Sequence, residues 1–206
     1  IFDSDTNYFD DWSNEQIRHK VSQKCYLRAN RLMLDLIRRH NGHFRISYSL
    51  TGTAISQFQQ WEPEVMDTFH ALADTGCVEF IAETAYHSLA FLYSRDEFTR
   101  QIERHCRMME DLFGQRPRIF RNTELTYNND VARVVEDMGF NAILAEGADH
   151  VLGYRSPNFI YNPPNCGSLK MLLKNYRLSD DIAFRFGNRG WKEWPLTAER
   201  FAQWVD

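Results

Sequence analysis

Apolar side chains recur at intervals of three or four residues near the start of the chain. The spacing continues through residues 17–37 and predicts a long amphipathic helix. Ser13, with Gln16 three residues further on, forms a capping-box pattern that predicts the start of this helix. Asn41 followed by Gly42 predicts its end.

After this helix the pattern alternates between strand-like and helix-like stretches. Apolar alternation or continuous apolar runs predict strands at 43–52, 77–84, 118–125, 142–147 and 169–175. Helical spacing returns at 53–75, where Pro63 marks a helix start, at 96–113 with Asp96 as cap, at 128–138 after Asn128, and after Thr197. Residues 155–168 are rich in turn formers and predict a loop.

This alternation predicts the class of the fold. Strands that alternate with helices are typical of a parallel sheet with crossover helices, either an open sheet or a closed (β/α) barrel. No Gly-rich phosphate-binding motif follows any of the strands, which favours the barrel. With 206 residues, 43% of them hydrophobic, we expect residues 1–206 to form a single domain.

Charge and cysteine content narrow the function classes. The formal charge of -4 argues against a nucleic-acid partner, because such proteins carry a basic face. No apolar run reaches the length of a membrane span, so we expect no membrane partner. The four cysteines are scattered without a CxxC pair, which predicts reduced thiols and a cytoplasmic location. The oligomeric state is not predicted.

Three predicted strands end in a glutamate, at Glu83, Glu124 and Glu146. Active sites of parallel α/β folds gather at the carboxyl ends of their strands. Each glutamate could instead be a first-turn acid that interacts with a helix dipole. Three carboxylates among many aromatic side chains are, however, what glycoside chemistry needs, since one acid protonates the leaving oxygen and another carboxylate attacks or activates water.

His87 follows Glu83 by four residues and has competing interpretations. It could be an ordinary hydrogen-bonded histidine, a substrate contact or a metal ligand. A metal-dependent hydrolase would need further ligands at matching spacing, and the seven histidines contain no H-x-x-x-H or H-E-x-x-H pattern. We therefore expect no metal and no other cofactor.

The segments around these glutamates resemble glycoside hydrolase family 57, in its α-amylase-like branch. VEFIAETAYHSLAFLYSRDEF at 78–98 is similar to the second conserved region of the family, and FRNTELTYNND at 120–130 is similar to the third. The stretches AILAEGADHVLGYRSPNFIYN and LLKNYRLSDDIAFRF resemble the segments that follow. The resemblance implies the central part of an incomplete (β/α)7-type barrel with parallel strands.

The resemblance also implies residue roles. Glu124 matches the catalytic nucleophile of the family. His87 and Glu83 lie in the region that contributes substrate contacts, and we include Glu146 and Asp181 with them as substrate-binding residues. Asp181 could alternatively pair with a neighbouring arginine. The His-Gln-Pro motif and the aspartate that serves as acid/base in the family do not occur in this sequence, so we expect the first and last strands, with that aspartate, outside its two ends.

The function implied is that of a retaining glycoside hydrolase acting on α-glucans or maltooligosaccharides. A 4-α-glucanotransferase of the same family is an alternative, because transfer differs from hydrolysis in whether a sugar or water attacks the glycosyl-enzyme. A metal-dependent polysaccharide deacetylase and a non-catalytic α-glucan-binding module are two further alternatives.

Overall fold

The computed structural model describes residues 10–206. The chain divides into two compact units, Ile1–Thr123 and Glu124–Asp206. Each unit contains parallel strands and several helices. The parallel strands separated by helices confirm the predicted α/β class, and the short sheets agree with a partial barrel. The expectation that residues 1–206 form one domain stays a prediction.

The described part of the first unit starts with two helices and then alternates strand and helix. Its helices are α1 (Asp11–Val21), α2 (Leu27–Arg39), α3 (Gly52–Trp61), α4 (Pro63–Asp74) and α5 (Arg95–Phe113), and its strands are β1 (Ile46–Ser49), β2 (Val78–Ile81) and β3 (Ile119–Arg121). A π-helical turn, Ser22–Tyr26, joins α1 to α2. The predicted long helix is therefore present, with a wider turn in its middle.

The second unit has shorter elements. They are α6 (Asn129–Asp137), β4 (Ala142–Glu146), α7 (Asp149–Leu152), β5 (Lys170–Lys174), α8 (Tyr176–Asp180) with a following π-helical turn (Asp181–Arg185), and α9 (Ala198–Val205). The sequence pattern did not predict α7 or α8. Both are short helices without a repeated apolar stripe, and α8 begins where the side chain of Asn175 accepts a hydrogen bond from the Leu178 amide.

Two predicted helix caps are wrong. Asp10, and not Ser13, caps α1, because its carboxylate accepts a hydrogen bond from the Ser13 amide at 2.9 Å. Ser94, and not Asp96, caps α5, since its hydroxyl accepts from the Glu97 amide. In both cases neighbouring polar residues offered competing caps, and the helix starts two or three residues earlier than predicted. The cap at Thr197 is confirmed, as is the helix start at Pro63. Asn128, the first residue of the predicted helix 128–138, is the cap of α6.

The strands of the first unit pack one face against an aromatic core. β1 and β2 are parallel, with Ile46 opposite Val78, and Ala82 pairs with Phe120 in parallel orientation. Tyr48 lies edge-on to Phe69, with ring centroids 5.4 Å apart, whereas Ser47 and Ser49 on the other face are exposed. The period-two alternation of β1 therefore places its two serines on the face opposite the aromatic core.

In the second unit β4 and β5 pair in parallel along five residues, from Ala142 opposite Lys170 to Glu146 opposite Lys174. Gly147 continues β4, and a Cβ atom at this position would lie 2.7 Å from the Lys174 carbonyl oxygen. A side chain here would push the two strand ends apart. This close approach holds Glu146 beside the end of β5.

None of the helices within residues 10–206 is both long enough and apolar enough to cross a membrane.

Candidate active site

Glu83 is a buried carboxylate at the end of β2, with 1% of its surface exposed. Its Oε1 atom accepts a hydrogen bond from the Ser49 hydroxyl at 2.7 Å. Its Oε2 atom lies 3.3 Å from Nδ1 of His87. Burial of an acid demands such partners, because a carboxylate removed from water without them carries a large desolvation cost. Both oxygens of Glu83 are therefore engaged by protein groups.

His105, on α5, connects the ends of the first two strands. Its Nε2 atom lies 2.6 Å from the carbonyl oxygen of Leu50, and its Nδ1 atom accepts from the Glu83 amide at 3.4 Å. A neutral ring protonated at Nε2 satisfies both contacts. Burial lowers the pKa of His105, opposed by the Leu50 carbonyl and by the charge of Glu83. The sequence did not predict this role, and its one signal was a histidine on the apolar face of a helix.

A tight turn carries His87. Its amide donates to the Thr84 carbonyl at 3.1 Å, and its φ of 53° lies in the left-handed region that residues other than glycine rarely adopt. The Thr84 hydroxyl accepts from the Ser88 amide at 2.9 Å. The Thr123 hydroxyl, 3.1 Å from that of Thr84, donates to the Ser88 carbonyl at 2.7 Å. These bonds fix the turn on the end of β2.

Gly52, the first residue of α3, supports the same turn. A Cβ atom on it would lie 2.7 Å from the backbone oxygen of Ala85. The turn therefore packs directly against backbone, and a larger residue at position 52 would displace it. Glu83 and His87, which the sequence predicts as site residues, are brought together here.

Glu124 opens the second unit with an unusual backbone. Its φ is 53°, and that of Leu125 is 56°. Two successive residues in the left-handed region cost about 1 kcal/mol or more each. Strained conformations of this kind cluster at functional sites. The strained residue Glu124 is the one that the resemblance implies as nucleophile, and its conformation is consistent with a functional role.

A cleft of about 720 Å³ lies in the second unit, within the size range of ligand sites. Glu124 and Glu146 both line it, with Tyr127 and Tyr161 among the other lining residues. Glu146 lies 3.6 Å from the Lys174 ammonium group. Two carboxylates and two aromatic rings in one cleft provide acid–base groups together with flat faces on which a sugar ring can stack.

Glu136, on α6, binds the segment that precedes β5. It was not predicted as a functional residue. Its carboxylate accepts hydrogen bonds from the backbone amides of Gly167, Ser168 and Leu169, at 2.7 to 3.2 Å. These bonds lower its pKa to about 2. They tie the predicted loop, which contains Tyr161, to α6. In the sequence, Glu136 is indistinguishable from a solvent-facing helix residue.

Asp181 has a different environment from the cleft glutamates. Its Oδ1 atom accepts from the Arg185 guanidinium at 2.6 Å, one helical turn further on. It is not among the cleft-lining residues in the described part of the chain. Arg177 pairs instead with Asp149, at 2.9 Å, and lines with it a second cleft of about 330 Å³. The binding role of Asp181 stays a prediction.

Two of the aromatic residues that could stack on a sugar, Phe91 and Trp191, instead pack against other rings. Phe91 packs edge-on to Phe98, with ring centroids 6.0 Å apart. Trp191 packs similarly against Trp204.

Among residues 10–206, no group of three or more His, Cys, Asp or Glu side chains is placed as a metal site requires.

Comparison with known proteins identifies the family of this chain. The family model described as "Glycosyl hydrolase family 57" matches residues 1–206. A protein of Methanocaldococcus jannaschii named "Putative alpha-amylase" is 46% identical over 199 residues, which are 96% of this chain and 42% of that protein. The chain therefore spans about two fifths of the length of this relative.

Two solved structures share the fold at low identity. The 4-alpha-glucanotransferase of Thermococcus litoralis matches with a TM-score of 0.69 at 13% identity, covering 86% of this chain and 27% of that one. A protein of Mycobacterium smegmatis described as a "putative polysaccharide deacetylase" matches with a TM-score of 0.55 at 14% identity, covering 80% of this chain and 57% of that one.

Proposed function

The chain belongs to glycoside hydrolase family 57, and on this premise we propose that the protein is a retaining glycosidase acting on α-glucans, with Glu124 as its nucleophile. The observation that carries the proposal is the cleft in which Glu124 and Glu146 lie with Tyr127 and Tyr161. A relative named as an α-amylase supports the choice of α-glucans.

In this mechanism the Glu124 carboxylate attacks the anomeric carbon while an acid protonates the leaving glycosidic oxygen. A covalent glycosyl-enzyme forms, and water then attacks it with the same acid now acting as base. The acid/base is an aspartate about 5–5.5 Å from the nucleophile in retaining enzymes of this kind. We assign it to the remainder of the protein, since the segment that carries it in the family is absent from these residues.

Three of the other predicted site residues take part in sugar binding. Glu146, held beside Lys174, accepts hydrogen bonds from sugar hydroxyls in the cleft. His87 and Asp181 are further substrate contacts. Transfer of the glycosyl group to a second sugar instead of water would make the protein a 4-α-glucanotransferase. Since the chain shares its fold with such an enzyme, the experiment below also measures transfer.

Trapping of the intermediate tests the proposal. We expect the full-length protein, incubated with a slowly released fluorinated α-glucosyl fluoride, to gain one fluoroglucosyl group on the peptide that contains Glu124, as detected by mass spectrometry. Glu124→Gln should lose the label and several orders of magnitude in turnover, since the nucleophile is gone. Glu146→Gln is the matched control, expected to keep the label while raising KM.

A label on another residue, or full turnover by Glu124→Gln, would remove Glu124 from the role. Addition of maltose as acceptor separates the two reactions, because a transferase yields longer oligosaccharides whereas a hydrolase yields mainly glucose and shorter chains.

A further inference from the structure

Glu83 differs from the other candidate carboxylates in its burial. It is 1% exposed, whereas Glu146 is exposed. The Ser49 hydroxyl and the His87 ring occupy its two oxygens, at 2.7 and 3.3 Å. An acid in this environment has little surface with which to meet a sugar. Its contacts are those of a group that orients a neighbour.

The neighbour that Glu83 can orient is His87. A carboxylate that faces Nδ1 favours a proton on that nitrogen and fixes the plane of the ring, so that the second nitrogen has a defined position and chemical character. The side chain of His87 is about one third exposed, and thus reaches the surface that Glu83 does not. The left-handed backbone of His87 indicates that the turn tolerates strain to place this ring.

The backbone of Glu83 is held independently of its side chain. The Glu83 amide donates to His105, which also contacts Leu50 at the end of β1. The carboxylate therefore starts from a fixed main-chain position. Removal of its charge by an isosteric substitution should leave this anchor in place.

We propose that Glu83 is a positioning residue, which acts on the substrate through His87 by holding the imidazole in one orientation with its proton on Nδ1. Ser49 completes the hydrogen bonding of the carboxylate at its other oxygen, Oε1. The part of the inference that concerns sugar contact by His87 rests on the proposed function, but the control of the His87 ring by Glu83 does not.

The ring itself gives the first test. In the ¹⁵N-histidine-labelled protein, NMR should find the neutral His87 ring protonated mainly at Nδ1. In Glu83→Gln the amide can donate or accept, so the population protonated at Nδ1 should fall severalfold. The tautomer of His105 at pH 7.5 serves as an internal control, because its hydrogen-bond partners are backbone atoms that the substitution keeps; an unchanged His105 tautomer shows that the fold is intact. Ser49→Ala is the matched variant, and it should leave His87 protonated at Nδ1.

A double-mutant cycle gives the second test in the full-length enzyme. Glu83→Gln and His87→Ala should each lower kcat/KM for a maltooligosaccharide by about tenfold or more, and the double variant should be no worse than His87→Ala, because the two residues act as one unit. Additive losses would mean that Glu83 touches the substrate itself, and would overturn the proposal.

An unchanged His87 spectrum in Glu83→Gln, with His105 also unchanged, would overturn it as well. If the protein turned over no glucan, the proposed function would fail, and the spectra would still decide whether Glu83 controls the ring.

Discussion

Three residues after the ends of strands hold left-handed backbone conformations that side chains seldom adopt. His87, Glu124 and Leu125 have φ angles of 53°, 53° and 56°. None of them is a glycine, so each conformation costs free energy that the surrounding fold supplies. Two of the three are residues to which we assign chemistry. At this scale, the position of a reactive side chain is decided by its backbone as much as by its type.

His105 makes a prediction at the same scale. Because burial lowers its pKa in the folded state, the unfolded chain binds a proton more readily near the ordinary value of 6.5. The contribution of His105 to stability is thus complete above that pH and is lost as the pH falls below it. We expect urea unfolding to give a lower free energy at pH 5.5 than at pH 7.5.

The variant His105→Gln isolates this contribution from that of the other histidines. It should be less stable than the natural protein at pH 7.5 by about 1–3 kcal/mol, since it cannot keep both backbone contacts. It should also depend less on pH between 7.5 and 5.5. Parallel pH profiles for the two proteins would contradict the assignment.

Close backbone approaches and hydrogen bonds connect the helices and strands of each unit to the neighbouring loops. Gly52 lets α3 approach the turn after β2, and Gly147 lets β4 approach the end of β5. Glu136 on α6 caps three amides of the segment before β5. Each contact holds a loop or strand end of its own unit against a neighbouring element. The elements therefore act as supports, whereas the loops carry the chemistry.

Glu136 provides the prediction at this scale. Its pKa is lowered to about 2 by backbone amides, so the hydrogen bonds contribute stability above its ordinary value of about 4.3. That contribution is lost as the pH falls from there toward 2. Hydrogen exchange at the amides of residues 167–169 should accelerate over this range, relative to the intrinsic exchange rate at each pH.

Glu136→Gln should exchange faster at neutral pH and lose this pH dependence, because an amide oxygen is a weaker acceptor and does not titrate. Asp137→Asn, an exposed neighbour, is the matched control and should behave like the natural protein. Equal protection of residues 167–169 in all three proteins would show that Glu136 does not hold the segment.

For the molecule as a whole, membership in glycoside hydrolase family 57 sets the expected reaction, whereas the fold by itself does not. The same fold occurs at comparable identity in a glucanotransferase and in a protein described as a polysaccharide deacetylase. Function in such folds belongs to the site, so the carboxylates and their surroundings must decide between these reactions.

One set of measurements on the full-length protein distinguishes a glycosidase from a metal-dependent deacetylase and from a non-catalytic glucan-binding module. We expect turnover of maltooligosaccharides that is unaffected by prolonged treatment with a metal chelator, because the proposed mechanism uses carboxylates alone. Release of acetate from an acetylated polysaccharide, abolished by the chelator and restored by zinc, would support the deacetylase instead. Calorimetric binding of maltooligosaccharides without any turnover would support the binding module.

Much of the fold could be predicted from local pattern. The positions of all five strands and the helix start at Pro63 follow from periodicity and turn residues, which act over a few neighbours. The errors lie where local signals compete or are weak. Asp10 and Ser94 replaced the predicted caps, and α8 forms without an apolar stripe.

Residue order and motifs are enough to predict the α/β class, the family, and the location of Glu83, Glu124 and Glu146 at or just after strand ends. The contacts of each carboxylate, by contrast, depend on how distant parts of the chain pack. Glu83 meets Ser49 across 34 residues of chain and His105 across 22, and Glu136 reaches the segment before β5 across more than 30. Contacts over such separations arise when distant elements pack together, and a pattern of neighbouring residues cannot predict them.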